Sequence, residues 1–292
     1  MQTGIVYAIA AGLFWGTSPV LVKRGLVNSD VSAATLLQQG SILATLIGFT
    51  LLEGSFAAGR MPVAASIVFM ATGVVGAYLG RTLFVRSVDQ IGAAHAQSLN
   101  NSSPLITVLL AALFLDESLT PFVLAGVLLI VSGIFFITRP QPESKGPSTT
   151  RTLTAASILA TICYGVIPVI KKFATDIGGP PVLGALIMHA TGLLLLVSLG
   201  SLLKIELKWR HLPLASAVCF VCAGVLQAFG SIFTLKALVY APASVVAPIW
   251  NMQPIVSFFL ARALLKGVEV VTLGDGVAAA LVVAGILVLR WG

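Results

Sequence analysis

The sequence predicts an all-α membrane protein of ten transmembrane helices arranged as two inverted five-helix repeats. Three observations carry that prediction. Of the 292 residues 58% are hydrophobic and only 9% charged, whereas a soluble domain carries about 25% charged residues. Apolar stretches recur near residues 4–22, 33–52, 63–85, 91–114, 121–138, 153–171, 181–203, 212–235, 243–265 and 271–289, each close to the ~20 residues that a helix needs to cross a hydrocarbon core. The chain also repeats itself: Trp15, Gly16, Pro19, Val20 and Lys23 recur as Tyr164, Gly165, Pro168, Val169 and Lys172, and Gly80, Arg86, Asn101 and Pro104 recur as Gly230, Lys236, Asn251 and Pro254. A duplicated unit of apolar helices is how many secondary transporters are built, with the site between the copies.

Taken in order, the first span lacks the basic start of a secretory signal, since Met1-Gln2-Thr3 has no charged side chain, and its match at 153–171 is internal. It therefore reads as a retained helix. Gly12-x-x-x-Gly16 here and Gly76-x-x-x-Gly80 in the third span allow close helix approach. The third span also carries Tyr78 and Arg81, an ionisable group inside the membrane being a functional hypothesis unless it snorkels to the interface. The fourth span holds Asn100, Asn101, Ser102, Ser103 and Pro104 near its middle, and the ninth holds Trp250, Asn251, Gln253 and Pro254 at the matching depth. Proline cannot donate to the carbonyl one turn back, so both helices should break and leave a free acceptor. Such acceptors persist at the midplane only against protein or a water-filled cavity. Matched breaks in the two halves are the best sequence pointer to a carrier's site, although polar groups also glue helices together.

The hydrophilic run Arg139–Arg151 has the Pro, Ser and Gly composition of a linker. It divides the chain into a first repeat at 1–138, the linker at 139–151 and a second repeat at 152–292. The sixth span carries Tyr164. The seventh has His189 near its centre, either a neutral helix contact or a titrating group. The eighth brings Gln227 and Phe229, and with Phe14, Trp15, Tyr78, Tyr164 and Trp250 the aromatics concentrate on five spans, as expected of a cavity wall or of bundle packing. Cys219-Phe-Val-Cys222 lies in an apolar helix without redox or metal context. The tenth span completes the bundle.

Five crossings per copy start the second copy on the opposite side, so the halves relate by a pseudo-two-fold axis in the membrane plane. Lys23, Arg24, Arg86, Arg139, Lys145, Arg151, Lys204, Lys208, Arg210, Arg262 and Lys266 fall on one side, and Arg60, Lys171, Lys172, Lys236 and Arg290 on the side of the termini. The positive-inside rule puts the richer side in the cytoplasm and the termini outside. The net charge of +7 is a topology signal, with no basic cluster dense enough for nucleic acid.

The W-G-x-x-P-V-L-x-K start, the mid-span proline of the fourth helix, the Phe114-Leu115-Asp116-Glu117 turn and the Gly126/Gly133 fifth helix resemble an EamA-type unit of the drug/metabolite transporter superfamily. The resemblance covers nearly the whole chain as two units, and the second copy needs a two-residue insertion to align Glu269 with Glu117. It implies a ten-helix carrier, not an enzyme, that moves small metabolites, often outward, and it implies cytosolic termini in eukaryotic relatives. Small drug-efflux members use a buried carboxylate in the first helix, which this first helix lacks. Every acidic residue falls near a predicted helix end or in a loop. The expectation is thus a multi-pass inner-membrane exporter of amino acids or similar compounds, monomeric or homodimeric, with no cofactor or metal. The alternatives are a lipid flippase or scramblase and a proton-coupled drug efflux carrier. Candidate substrate contacts are Trp15, Tyr78, Arg81, Asn100, Asn101, Ser102, Tyr164, His189, Gln227, Trp250 and Asn251.

Overall fold

A computed structural model describes residues 1–26, 29, 31–54, 61–91, 96, 99–137, 154–202, 212–264, 273–289 and 291. The linker 139–151, the cations Arg60, Lys204, Lys208, Arg210, Lys266 and Arg290, and Glu269 lie outside the described residues.

The first repeat contains α1 (Gln2–Gly25), α2 (Val31–Leu52) and α3 (Val63–Thr72), which continues through a π-helical segment (Gly73–Gly80) into α4 (Arg81–Ile91). Next come α5 (Ser103–Phe114) and α6 (Pro121–Ile137). The second repeat contains α7 (Ala155–Asp176), α8 (Pro181–Leu202), α9 (Leu214–Tyr240), α10 (Ala243–Trp250), α11 (Gln253–Leu264) and α12 (Leu273–Leu289). Among the described residues, six helices are long and apolar enough to cross a membrane, and the shorter apolar helices Ser103–Phe114, Pro121–Phe136, Pro181–Leu195 and Gly276–Leu289 complete the ten spans. The sixth and eighth spans run further than the hydropathy pattern suggested, to Asp176 and Tyr240, so Lys171, Lys172 and Lys236 lie within helices and not in loops.

The packing carries the two-fold relation. Helix α1 lies along α9, and its repeat-mate α7 lies along α3, the π-helical segment and α4. Likewise α2 packs on α9 while α8 packs on α3, and α1 meets α10 and α11 while α7 meets α5. The pairs α2–α8 and α6–α12 map onto themselves, as pairs that straddle the axis must. With an odd number of spans per repeat, an axis that exchanges the repeats lies in the membrane plane.

Matched small residues permit the closest approaches. A Cβ on Gly16 would come within 2.7 Å of the Gln253 carbonyl oxygen, and one on Gly165 within 3.0 Å of the Ser103 carbonyl oxygen. Hydroxyls then lock the same seams: Ser257 Oγ donates to the Gly16 carbonyl at 2.6 Å, and Thr107 Oγ1 donates to the Gly165 carbonyl at 2.8 Å. Large apolar side chains on the outer helix faces, such as Leu109, Leu113, Phe122 and Leu194, are exposed, as a surface facing lipid tails requires.

Candidate functional site

The predicted breaks are present at matched positions. In the fourth span Asn101 and Ser102 form a turn before α5, whose second residue is Pro104; in the ninth, Asn251 and Met252 separate α10 from α11, whose second residue is Pro254. The turns are built alike, with Leu105 N–H donating to the Ser102 carbonyl at 3.0 Å and Ile255 N–H to the Met252 carbonyl at 2.9 Å. Asn251 Nδ2 also donates to the Ala247 carbonyl at 2.8 Å, which accepts from Asn251 N–H as well at 3.2 Å.

Around these breaks lies a cavity of about 790 Å³ with walls from both repeats. This is the size range of small-molecule pockets. Of the candidate contacts, Trp15, Arg81, Asn100, Tyr164, His189, Gln227, Trp250 and Asn251 line it. Three do not. Asn101 is buried outside the lining, Ser102 donates to the Leu99 carbonyl at 2.5 Å and faces a smaller recess, and Tyr78 is absent from the lining. Side chains at successive positions of a helix turn diverge, and of the Asn-Asn-Ser set one residue lines the cavity. Asn100 is that residue, and its Oδ1 is buried without a hydrogen-bond partner.

His189 Nε2 lies 2.8 Å from Ser231 Oγ, so the serine that matches Arg81 in the repeat holds the imidazole in place. Arg81 follows directly on the π-helical segment and lines the cavity together with Gly73 and Gly76. Single-turn widenings of this kind recur at functional sites because they re-aim the side chains beyond them.

Sequence reasoning overlooked Lys171. The hydropathy pattern puts it at the end of the sixth span, among the cations of the termini side; it is instead 9% exposed in the cavity wall, with its ammonium 5.3 Å from the Trp250 ring centroid. His189 is therefore not the lone charge-capable group at depth. The signal was legible: Tyr164, Ile167 and Lys171 follow an i, i+3, i+7 spacing and all face the cavity. Trp15, Pro19 and Lys23 face it from α1 at i, i+4, i+8.

Phe14 and Phe229, expected in the wall, belong to a separate aromatic stack. Tyr7, Phe14, Phe229, Phe233 and Tyr240 stack along the α1–α9 seam with centroids 5.5 to 6.3 Å apart, and Phe49 meets Phe229 edge-on at 5.7 Å. The stack fills the seam on the termini side of Trp15.

The Phe-Leu-Asp-Glu turn has a structural task. Asp116 adopts a positive φ of 52°, and Glu117 accepts from Ala243 N–H at 2.6 Å, from Ser244 N–H at 2.9 Å and from Ser244 Oγ at 2.6 Å. A carboxylate thus caps the N-terminus of α10, where free N–H groups and the helix dipole favour negative charge, and ties the first repeat to the broken helix of the second.

Comparison with known proteins agrees with this architecture. One crystal structure superposes with a TM-score of 0.75 at 19% identity, covering 100% of this chain and 97% of the other, a likeness of fold alone. The uncharacterized transporter YvbV of Bacillus subtilis (strain 168) is 28% identical over 144 residues, 49% of this chain and 47% of its own length, so the match spans about half of that relative. The profile of the EamA-like transporter family matches twice, over residues 2–139 and 153–291. With both repeats matched and their helices packed as a duplicated bundle, the chain belongs to the EamA-like transporter family.

Proposed function

We propose that this protein is a secondary transporter that exports a small metabolite, such as an amino acid or a similar compound, across the inner membrane by alternating access. The observation that supports this reading best is the cavity itself, which lies between the two repeats at their matched helix breaks. Exchange of the two half-bundles about the in-plane axis would turn a cavity open to one side into a cavity open to the other. The first and sixth, third and eighth helices would rock around the fixed fourth and ninth. Among the described residues no Asp or Glu lines the cavity, which favours facilitated movement or exchange over proton coupling through a deep carboxylate. The Lys/Arg excess on the linker side supports extracellular termini. With Lys171 in the cavity wall, the opposing count falls further.

Reconstitution tests the proposal. Purified protein in liposomes loaded with a mixture of amino acids and organic acids should release a subset of them, read by mass spectrometry, faster than protein-free vesicles. Release at the protein-free rate for every compound would overturn it.

A further inference from the structure

We propose that the cavity takes an organic anion, with a carboxylate or phosphate head at Lys171 and an apolar body against Trp15, Tyr164 and Trp250. This rests on the carrier reading above and narrows its substrate class. The cavity wall contains the cations Lys23, Arg81 and Lys171 and, among the described residues, no acidic side chain. Two lysines outside the cavity wall have partners: Lys172, the neighbour of Lys171, is 2.6 Å from Asp176, and Lys236 is 3.3 Å from Glu53. None of the three cavity cations has a carboxylate partner among the described residues. Lys23 and Arg81 are exposed and can reach toward bulk water; Lys171 is buried in the cavity wall.

A buried ammonium without a counter-charge is costly. The Trp250 ring face offsets only part of that cost. An arriving oxyanion would remove the rest, and so would bind where the empty cavity is least satisfied. A cation would add repulsion to a wall that is already positive, and a neutral molecule would leave Lys171 uncompensated. A zwitterionic amino acid has to place its own ammonium among three like charges, so within that class the net-negative members fit. Asn100 Oδ1, a buried acceptor without a partner, adds a preference: a ligand that also carries a hydroxyl or N–H donor would gain a further contact. The volume of about 790 Å³ suits a small organic body.

The test uses the full chain in liposomes with Trp209→Phe and Trp291→Phe, which leaves Trp15 and Trp250 as the fluorophores. Iodide should quench about tenfold more effectively than caesium, because a cleft lined by one sign of charge concentrates its counter-ions. Lys171→Met should narrow that ratio and Lys171→Arg should keep it; the wild-type comparison needs no cavity variant to fold. Butyrate, butyl phosphate, butanamide and butylamine then compete as one body with four heads. One or both anions should displace iodide, and whichever does so at lower concentration identifies the head. Caesium quenching equal to iodide, displacement by butylamine, or an unchanged ratio in a folded Lys171→Met chain would overturn the proposal. Labelled butyrate or butyl phosphate that binds without crossing the bilayer would overturn the carrier reading and leave the anion site standing. Passage of butylamine or butanamide in place of the anions would do the reverse.

Discussion

The indole of Trp15 occupies the space that a side chain at Gly230 would need: a Cβ there would lie 2.7 Å from Trp15 Cδ1 and 2.8 Å from its Nε1. The matched pair is looser, with a Cβ on Gly80 falling 3.7 Å from Tyr164 Cζ. Each of these cavity aromatics is therefore seated on a glycine of the other repeat, so the wall exists only when the two repeats are assembled.

Gly230→Ala should accordingly cost more than Gly80→Ala. Overpacking against a ring that cannot slide aside costs typically 1–3 kcal/mol, roughly, for one added carbon or two, and Gly230→Ala should fall in that range by thermal unfolding in detergent. It should also change the quenching of Trp15. Equal effects of the two alanines would show that Trp15 has room to move.

Asn100 and Asn101, adjacent in sequence, should separate by phenotype. Asn100→Ala removes a cavity acceptor and should cut transport about tenfold or more while leaving the melting temperature near wild type, since its Oδ1 has no partner to lose. Asn101→Ala should leave substrate affinity unchanged in the folded fraction and lower stability by about 0.6 kcal/mol, the average for an intramembrane hydrogen bond. Transport in liposomes, set beside unfolding curves of both variants, checks this. A stable but inactive Asn101→Ala would reverse the assignment.

Glu117 is a cap and should behave as one. Glu117→Ala leaves Ala243 and Ser244 N–H groups without their acceptor and should cost about 1–2 kcal/mol of stability. Glu117→Gln retains one acceptor oxygen and should recover part of that. Neither should change the iodide-to-caesium ratio of the cavity tryptophans, because Glu117 does not line the cavity.

Orientation gives a prediction that does not depend on the site. A tag placed at Gly292 should be reachable by a membrane-impermeant reagent in whole cells, and a cysteine placed at 141–150 should not. Labelling of the linker cysteine alone would put the termini in the cytoplasm.

The fold was legible because its signals are redundant. Hydropathy marks each span, and the duplication of Trp15 as Tyr164 and of Pro104 as Pro254 marks the repeat independently. The breaks followed from proline chemistry alone. Direction was the part that could not be read. Three consecutive polar residues at a turn look equivalent in sequence, and only the backbone decides that Asn100 faces the cavity while Asn101 and Ser102 do not. Lys171 was lost for a different reason, since hydropathy ends a span at its first lysine pair, whereas α7 carries that pair through a further turn to Asp176. Phe14 and Trp15 show the same limit, adjacent aromatics of which one stacks in a seam and the other lines the cavity.

The aromatic stack has one more consequence. Two identical halves would give the carrier two end states of equal free energy, each occupied half the time. Here Tyr7 and Phe14 match Ala156 and Cys163, and Phe229, Phe233 and Tyr240 match Leu79, Leu83 and Gln90, so one seam carries a five-ring stack while, among the described residues, its counterpart holds the edge-on pair Phe84–Tyr164. If the protein alternates as proposed, ring contacts of about 0.5–1.5 kcal/mol each would make the two end states unequal. The substrate-free protein should rest with the ring-lined seam shut, the opposite state being a minority population of the order of 0.1–10%. On the alternating-access proposal, divergence after duplication would turn a symmetric two-way switch into one with a default position.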